Sequence, residues 1–449
     1  MAVAALALAA SLGLAGTAAR VSAQAAAPAR TAIHAGWLLA DPDAGTVLTE
    51  RTVVIEGGRV LSIEPGYMTP EGASVIDLRD AFVLPGLIDG HVHVTKQAGP
   101  TSELDKVSKT ASALTLDGLV HARRLLAAGF TTVADLGVVD NAPDNEQAVF
   151  ALRDAIAAGM VEGPRILAAG SIVTPHGGHG ETHGFRPDVV RTLANPSACS
   201  GVDDCRRVVR EQVRRGADII KVTATGGVLS GTDAGLEQQF TDSELAAIVE
   251  TAHALGRGVT AHAHGRGGVE AALRAGVDSI QHGTFLSRES IPLFRKTGAA
   301  LAPTLLAEVT VGCNARDPHW RNATVRAKAL AVAPAAIAAA RLAHATGVSF
   351  IFGTDAGVFP HGNNAYEFVL LHEAGLSPLQ ALRSATTNAA RSLRLERTVG
   401  RIAPDMTADI VAVRGNPLDD LRVLSKMLFV MQSGRIIDVG AIPPARPPC

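Results

Sequence analysis

Six residues of metal-ligating type occupy positions that alternating strands and helices would bring together. His91 and His93 close the run Leu87-Ile88-Asp89-Gly90-His91-Val92-His93. Alternate residues of a strand share a face, so both imidazoles can grip one cation. Two half-exposed histidines would give the same pattern. Lys221 ends Asp218-Ile219-Ile220-Lys221-Val222-Thr223. A charged amine closing a buried apolar run is costly. Either it reaches solvent at the strand end, or it stays neutral and takes up CO2, forming a carbamate able to bridge two metals. His262 and His264 lie in Val259-Thr260-Ala261-His262-Ala263-His264-Gly265, His282 ends Ser279-Ile280-Gln281-His282, and Asp355 follows Phe352-Gly353-Thr354. Singly, each fits a hydrogen-bonded core histidine or a helix-capping aspartate. Jointly they place His, His, Lys, His, His and Asp at the same end of five strands. That chemistry is metal-assisted activation of water.

The elements needed to position them are legible as short apolar runs followed by amphipathic Ala/Leu/Arg stretches, the pattern of βα units. Eight strands are predicted at 83–89, 130–136, 165–173, 217–224, 258–263, 277–282, 299–304 and 348–354, with helices such as 116–128 and 243–255 between them. Eight units in this length predict an α/β fold, a (β/α)8 TIM barrel over 86–399 whose catalytic groups sit at the strands' C-terminal ends. An open doubly wound sheet is the alternative, but no G-x-G-x-x-G follows the first strand. Residues 31–80 read as strands with tight turns, including Gly57-Gly58, and the other end mirrors them with a hairpin at Ser433-Gly434. A small β-sandwich-like domain, 30–85 plus 400–445, is therefore expected from both ends of the chain.

Of the 449 residues, 47% are hydrophobic and 19% charged, as in a globular chain, and the formal net charge of −2 carries no electrostatic footprint for nucleic acid. The Ala/Leu-rich stretch 1–23 ends in Val21-Ser22-Ala23 before Gln24, although it lacks a basic start. It reads as a signal peptide of an exported, periplasmic or secreted protein; a disordered Ala-rich tail is the alternative. No other run is expected to reach the roughly 20 apolar residues of a membrane span, and no membrane association is expected. Cys199, Cys205, Cys313 and Cys449 show no zinc-finger spacing. Export would permit a Cys199–Cys205 disulfide, while free thiols fit as well.

The run 86–93, with Lys221, His262, His282 and Asp355, resembles the amidohydrolase superfamily. Thr174-Pro175-His176-Gly177-Gly178-His179-Gly180, Lys221-Val222-Thr223-Ala224-Thr225-Gly226-Gly227-Val228, Ala261-His262-Ala263-His264-Gly265 and Gln281-His282-Gly283-Thr284 narrow the resemblance to the imidazolonepropionase-like branch. That branch holds Xaa-Pro dipeptidases and related metallocarboxypeptidases; the sequence is also similar to ochratoxin-hydrolysing amidohydrolases. The resemblance covers the whole chain after residue 23. It implies one divalent metal on His91, His93 and Asp355, a second on His262 and His282, and carboxylated Lys221 between them. Zinc is the first choice, with manganese or cobalt able to substitute. It further implies that Asp355 accepts the water's proton and passes it to the leaving amine. His264 is then a substrate contact, or the ligand in place of His262.

His176 and His179 lie in a Gly-rich loop, and the resemblance implies that one of them hydrogen-bonds the substrate carbonyl; loop histidines without a chemical role are the alternative. Gly226, Gly227 and Val228 could offer backbone N–H groups to a substrate carboxylate, or simply close their loop. Phe185, Phe285, Phe359 and Tyr366 are candidate pocket walls. His361, Asn363 and Asn364 fall after the eighth strand and read as surface polar residues. The expected partner is a small molecule or dipeptide bearing a C-terminal hydrophobic amino acid, and the resemblance implies a homo-oligomer. Competing readings are a cyclic amidase and a non-catalytic metal-binding barrel.

Overall fold

The structure is a computed structural model and describes residues 30–138, 145–231 and 235–440. The expected leader 1–23, Cys449 and the end of the expected 400–445 segment lie outside the described residues. Four strands open the chain: β1 (Arg30–Leu38), β2 (Leu48–Glu56), β3 (Arg59–Pro65) and β4 (Ser74–Pro85). The central ones are β5 (Leu87–Val92), β6 (Phe130–Asp135), β7 (Arg165–Ala168), β8 (Thr174–Pro175), β9 (Ala198–Cys199), β10 (Ile219–Thr223), β11 (Gly258–Ala263), β12 (Ser279–His282) and β13 (Ala300–Ala302). The last three are β14 (Ile410–Val413), β15 (Met427–Gln432) and β16 (Arg435–Ile437).

Both ends of the chain meet in one seven-stranded sheet, ordered β16-β15-β14-β4-β1-β2-β3. Its pairs are antiparallel except β1 with β4. Strand alternation gives this sheet its own core, including Ile33, Val53, Val83, Ile410 and Met431. The expected sandwich is thus a single continuous sheet. The Arg165 guanidinium, bonded at 2.9 Å to the buried Asp409 carboxylate, ties β7 to the start of β14.

The central strands are parallel, in the sheets β5-β6-β7 and β10-β11-β12-β13. Single bridges tie the segment 349–356 to both sheets, Leu301 to Phe350 and Val92 to Ala356, and a further one ties Val173, just before β8, to Val222 of β10. The backbone of Gly90 also donates to the Phe352 carbonyl at 2.8 Å, and Ile351 to the Leu301 carbonyl at 3.0 Å.

Three predicted strands come out differently. The run 83–89 splits at Pro85-Gly86: Pro85 ends β4, and a Cβ on Gly86 would sit 2.2 Å from Thr131 Oγ1. The run 165–173 stops at Ala168, because Gly170 turns to φ 73°. The run 348–354 makes bridges but no strand, as it answers to two neighbours at once and then turns left-handed at Asp355.

The helices Ala111–Ala127 and Asp242–Ala254 fall near the expected 116–128 and 243–255, the latter opened by a capping box between Thr241 and Glu244. The helix Ala323–Ala345 corrects the expectation that no further run reaches span length. It is long and apolar enough to cross a membrane by length and composition alone. Its alanines pack one face inward, including Ala329, Ala336, Ala340 and Ala343, and it runs alongside the helix Leu305–Asn314. Cys199 and Cys205 form a disulfide with Cα atoms 5.1 Å apart, which settles that alternative.

Candidate active site

The six expected ligand positions converge where the parallel strands end. His91 Nε2 lies 3.5 Å and His93 Nε2 3.1 Å from Asp355 Oδ1, and Lys221 Nζ lies 3.3 Å from His91 Nε2. The His282 ring centre is 5.4 Å from that of His91 and 4.6 Å from those of both His262 and His264. Two triads have donor atoms mutually within 4.8 Å: His91, His282 and Asp355, and His262, His264 and His282. Both His262 and His264 are therefore within ligating distance, and the choice between them stays open.

The backbone is bent to achieve this. His282 (φ 71°), Thr304 (φ 50°) and Asp355 (φ 59°) are left-handed without being glycine, a strained conformation that clusters at functional sites. Hydrogen bonds then fix the rings. His93 Nδ1 donates to the Gly137 carbonyl at 2.6 Å, while His264 Nδ1 meets Thr284 Oγ1 at 2.8 Å and His282 Nδ1 meets Thr304 Oγ1 at 2.7 Å. Asp89, unassigned from sequence, holds the frame. Its carboxylate accepts from the backbone of His91 and Thr354, from Thr354 Oγ1 at 2.7 Å and from Asn364 Nδ2 at 2.7 Å. β5 and the Asp355 turn are thereby locked together.

Burial lowers the basicity of His91, Lys221, His262, His264 and His282. It takes Lys221 down to about 7, against the pull of Asp355 and Asp135, and His264 and His282 to about 3. Neutral imidazoles and a neutral amine are the forms that bind metals or CO2. Burial pushes Asp355 up, but the facing His91 and His93 outweigh it and hold it well below the usual carboxylate range. The residues fit a divalent metal pair: imidazole and carboxylate donors form two triads whose ligand atoms lie within 4.8 Å of one another.

These groups border a cavity of about 410 Å³. Of the other expected contacts, His179 and Val228 line it, with His179 Nδ1 held by Ser230 Oγ at 2.6 Å and its ring 4.4 Å from that of His262. His176 does not: it is exposed and bonds Ser200 Oγ at 2.9 Å, because the Gly177-Gly178 turn sends it away from His179. The Gly226 N–H is spent on the Glu237 carbonyl, and Gly227 packs against the His179 ring, so only Val228 of that segment reaches the cavity. Phe185 lines the wall; Phe285, Phe359 and Tyr366 do not. His361 and Asn364, expected at the surface, are buried. His361 stacks on His121 and donates through Nε2 to the Lys96 carbonyl at 2.8 Å; Asn364 serves Asp89.

Sequence reasoning missed three further groups. Glu308 is 3% exposed and stands 3.4 Å from His282 Nδ1, and burial pushes its carboxyl up to about 7. Lys106 and Arg321 share the Glu103 carboxylate at the mouth. Nothing local marks them: Glu308 sits in an ordinary helix first turn, and the mouth cations are 215 positions apart.

An ochratoxinase from Aspergillus niger is 29% identical over 444 residues, covering 92% of this chain and 88% of that protein. A crystal structure of a Xaa-Pro dipeptidase with methionine bound in its active site superposes with a TM-score of 0.84 at 36% identity, over 91% of this chain and 99% of that one. A prolidase complexed with N-methylphosphonate-L-proline gives 0.81 at 31%, over 91% and 99%. Residues 82–440 match the Amidohydrolase family, and this chain, a hydrolase acting on amide bonds, belongs to it.

Proposed function

We propose that this chain cleaves the amide bond that joins a C-terminal hydrophobic amino acid to the rest of a small substrate. Dipeptides, N-acyl amino acids and aryl amides of the ochratoxin A type are the candidate classes. The observation that carries the reading is the convergence of six donors on one cavity whose mouth is cationic and whose wall, at Val228, Leu229, Val311 and Val358, is apolar. We read the parallel strands and the segment 349–356 as a distorted (β/α)8 barrel, with that segment bridged to both sheets.

In this reading His91, His93 and Asp355 hold one divalent cation, and His282 with His262 or His264 holds a second. Zinc is the first choice, and Lys221, if carboxylated, would add a further carboxylate ligand. Such a pair supplies an activated water and polarises the scissile carbonyl. The chain's own residues do the rest. His179, steadied by Ser230, donates to the carbonyl oxygen and strengthens that bond as charge develops there. Asp355 has Oδ1 against His93, so Oδ2 takes the water's proton and returns it to the leaving nitrogen. The substrate carboxylate meets Lys106 and Arg321, whose shared Glu103 leaves one positive charge in excess within that triad. The apolar wall takes the hydrophobic side chain.

A screen of dipeptides, N-acyl amino acids and ochratoxin A with added zinc, each beside its methyl ester, tests this. Cleavage of the acids with loss on esterification is expected. Equal cleavage of the esters, or hydrolysis of cyclic amides alone, contradicts it.

A further inference from the structure

Glu308 is the one carboxylate bordering the cavity that is almost fully buried and neither belongs to the six convergent groups nor accepts a hydrogen bond among the described residues. It sits in the first turn of the helix Leu305–Asn314. Its Oε1 lies 3.4 Å from His282 Nδ1 and 3.9 Å from His264 Nδ1. Both nitrogens already face hydroxyls, those of Thr304 and Thr284. Positioning these rings therefore does not require Glu308. No lysine or arginine among the described residues forms an ion pair with Glu308: Lys106 and Arg321 are committed to Glu103 at the mouth, and Lys221 lies beside His91. A buried carboxylate with no lysine or arginine paired to it and no hydrogen bond donated to it is stabilised by a charged donor delivered to it.

We propose that Glu308 receives the α-ammonium group of the substrate, making this site selective for substrates with a free amino group beside the scissile carbonyl. This rests on the amide-hydrolase reading above and chooses among its substrate classes. An α-ammonium is separated from the scissile carbonyl carbon by a single carbon atom. A carbonyl held among the converged imidazoles thus brings that nitrogen next to the ring edges Glu308 touches. Glu308 offers a carboxylate to the ammonium, and Lys106 with Arg321 at the mouth offers cations to the carboxylate, of a zwitterionic dipeptide. N-acyl amino acids and ochratoxin A satisfy only the positive end.

The test compares one hydrophobic dipeptide with its N-acetyl derivative on the zinc-loaded protein, for the natural chain and for Glu308→Gln. The natural chain is expected to favour the free dipeptide in kcat/KM by about tenfold or more, the value of one charge-assisted hydrogen bond, mainly through KM. In E308Q that ratio collapses towards one. Calorimetry supplies a readout independent of turnover: the amino-side product should bind the natural chain more tightly than its N-acetyl form, and E308Q should lose the difference. Metal content of both proteins is measured alongside. A natural chain that cleaves both forms equally, or prefers the acetylated one, overturns the proposal while leaving the hydrolase reading intact, and needs no variant. An unchanged ratio in metal-loaded E308Q also overturns it. Failure to cleave any amide overturns both readings.

Discussion

Adding one methyl group at Gly227 probes the site without removing any functional atom. A Cβ there would stand 2.1 Å from His179 Cε1 and 2.4 Å from both ring nitrogens, whereas ordinary contact begins at 3.4 Å. The ring must therefore retreat by about 1.3 Å, the difference between 3.4 and 2.1 Å. It has little room: Nδ1 is bonded to Ser230 Oγ at 2.6 Å, and the His262 ring centre is 4.4 Å away. Displacements of about 1 Å in a group that positions substrate cost about 10²-fold in rate. The same crowding should cost about 1–3 kcal/mol of stability. The expected outcome for Gly227→Ala is thus a folded protein whose kcat/KM for the cleaved amide falls about 10²-fold. His179→Ala should lose a similar factor, as removal of one carbonyl donor does. Because both changes act through one imidazole, the double variant should fall little below H179A alone. A G227A enzyme with undiminished kcat/KM would refute the role given to His179, and full additivity would refute the route through it.

Other outcomes follow from the same geometry. Asp355→Asn should lower kcat/KM by about 10²–10⁴-fold, the usual contribution of a positioned proton acceptor; undiminished activity with metals bound would contradict the shuttle role. Asn364→Leu removes a donor from buried Asp89 and should cost about 1–3 kcal/mol in urea denaturation, an unshifted midpoint being the contrary result. Glu367 accepts from the backbone of Leu305 and Leu306, and burial pushes its carboxyl up from 4.5 to about 8. The fold favours its neutral form, so its contribution is complete below 4.5 and is lost as pH rises towards 8. Glu367→Gln should accordingly flatten the decline of Tm across that window, and an unchanged slope would count against the assignment.

The convergent set was legible because strand ends are local features: alternation put His91 with His93, and the βα rhythm put Lys221, His282 and Asp355 at equivalent positions. The same rhythm located the helices and the strands β6, β11 and β12. It did not show where strands stop, since the breaks at Gly86, Gly170 and Asp355 depend on neighbours distant in sequence. His361 and Asn364 look like loop polarity until Asp89 and His121 are seen behind them. His176 and His179 are equivalent on paper, and only the turn at Gly177-Gly178 separates an exposed side chain from one in the cavity. Glu308, Lys106 and Arg321 carry no pattern, because what distinguishes them is the cavity they border.

Elemental analysis of the protein, dialysed after zinc loading, bears most directly on the central reading. Two divalent ions per chain are predicted. Since His282 belongs to both donor triads, His282→Ala should retain no more than one of them. A natural chain that holds only traces of metal, or an H282A variant that keeps both ions, would contradict the binuclear site.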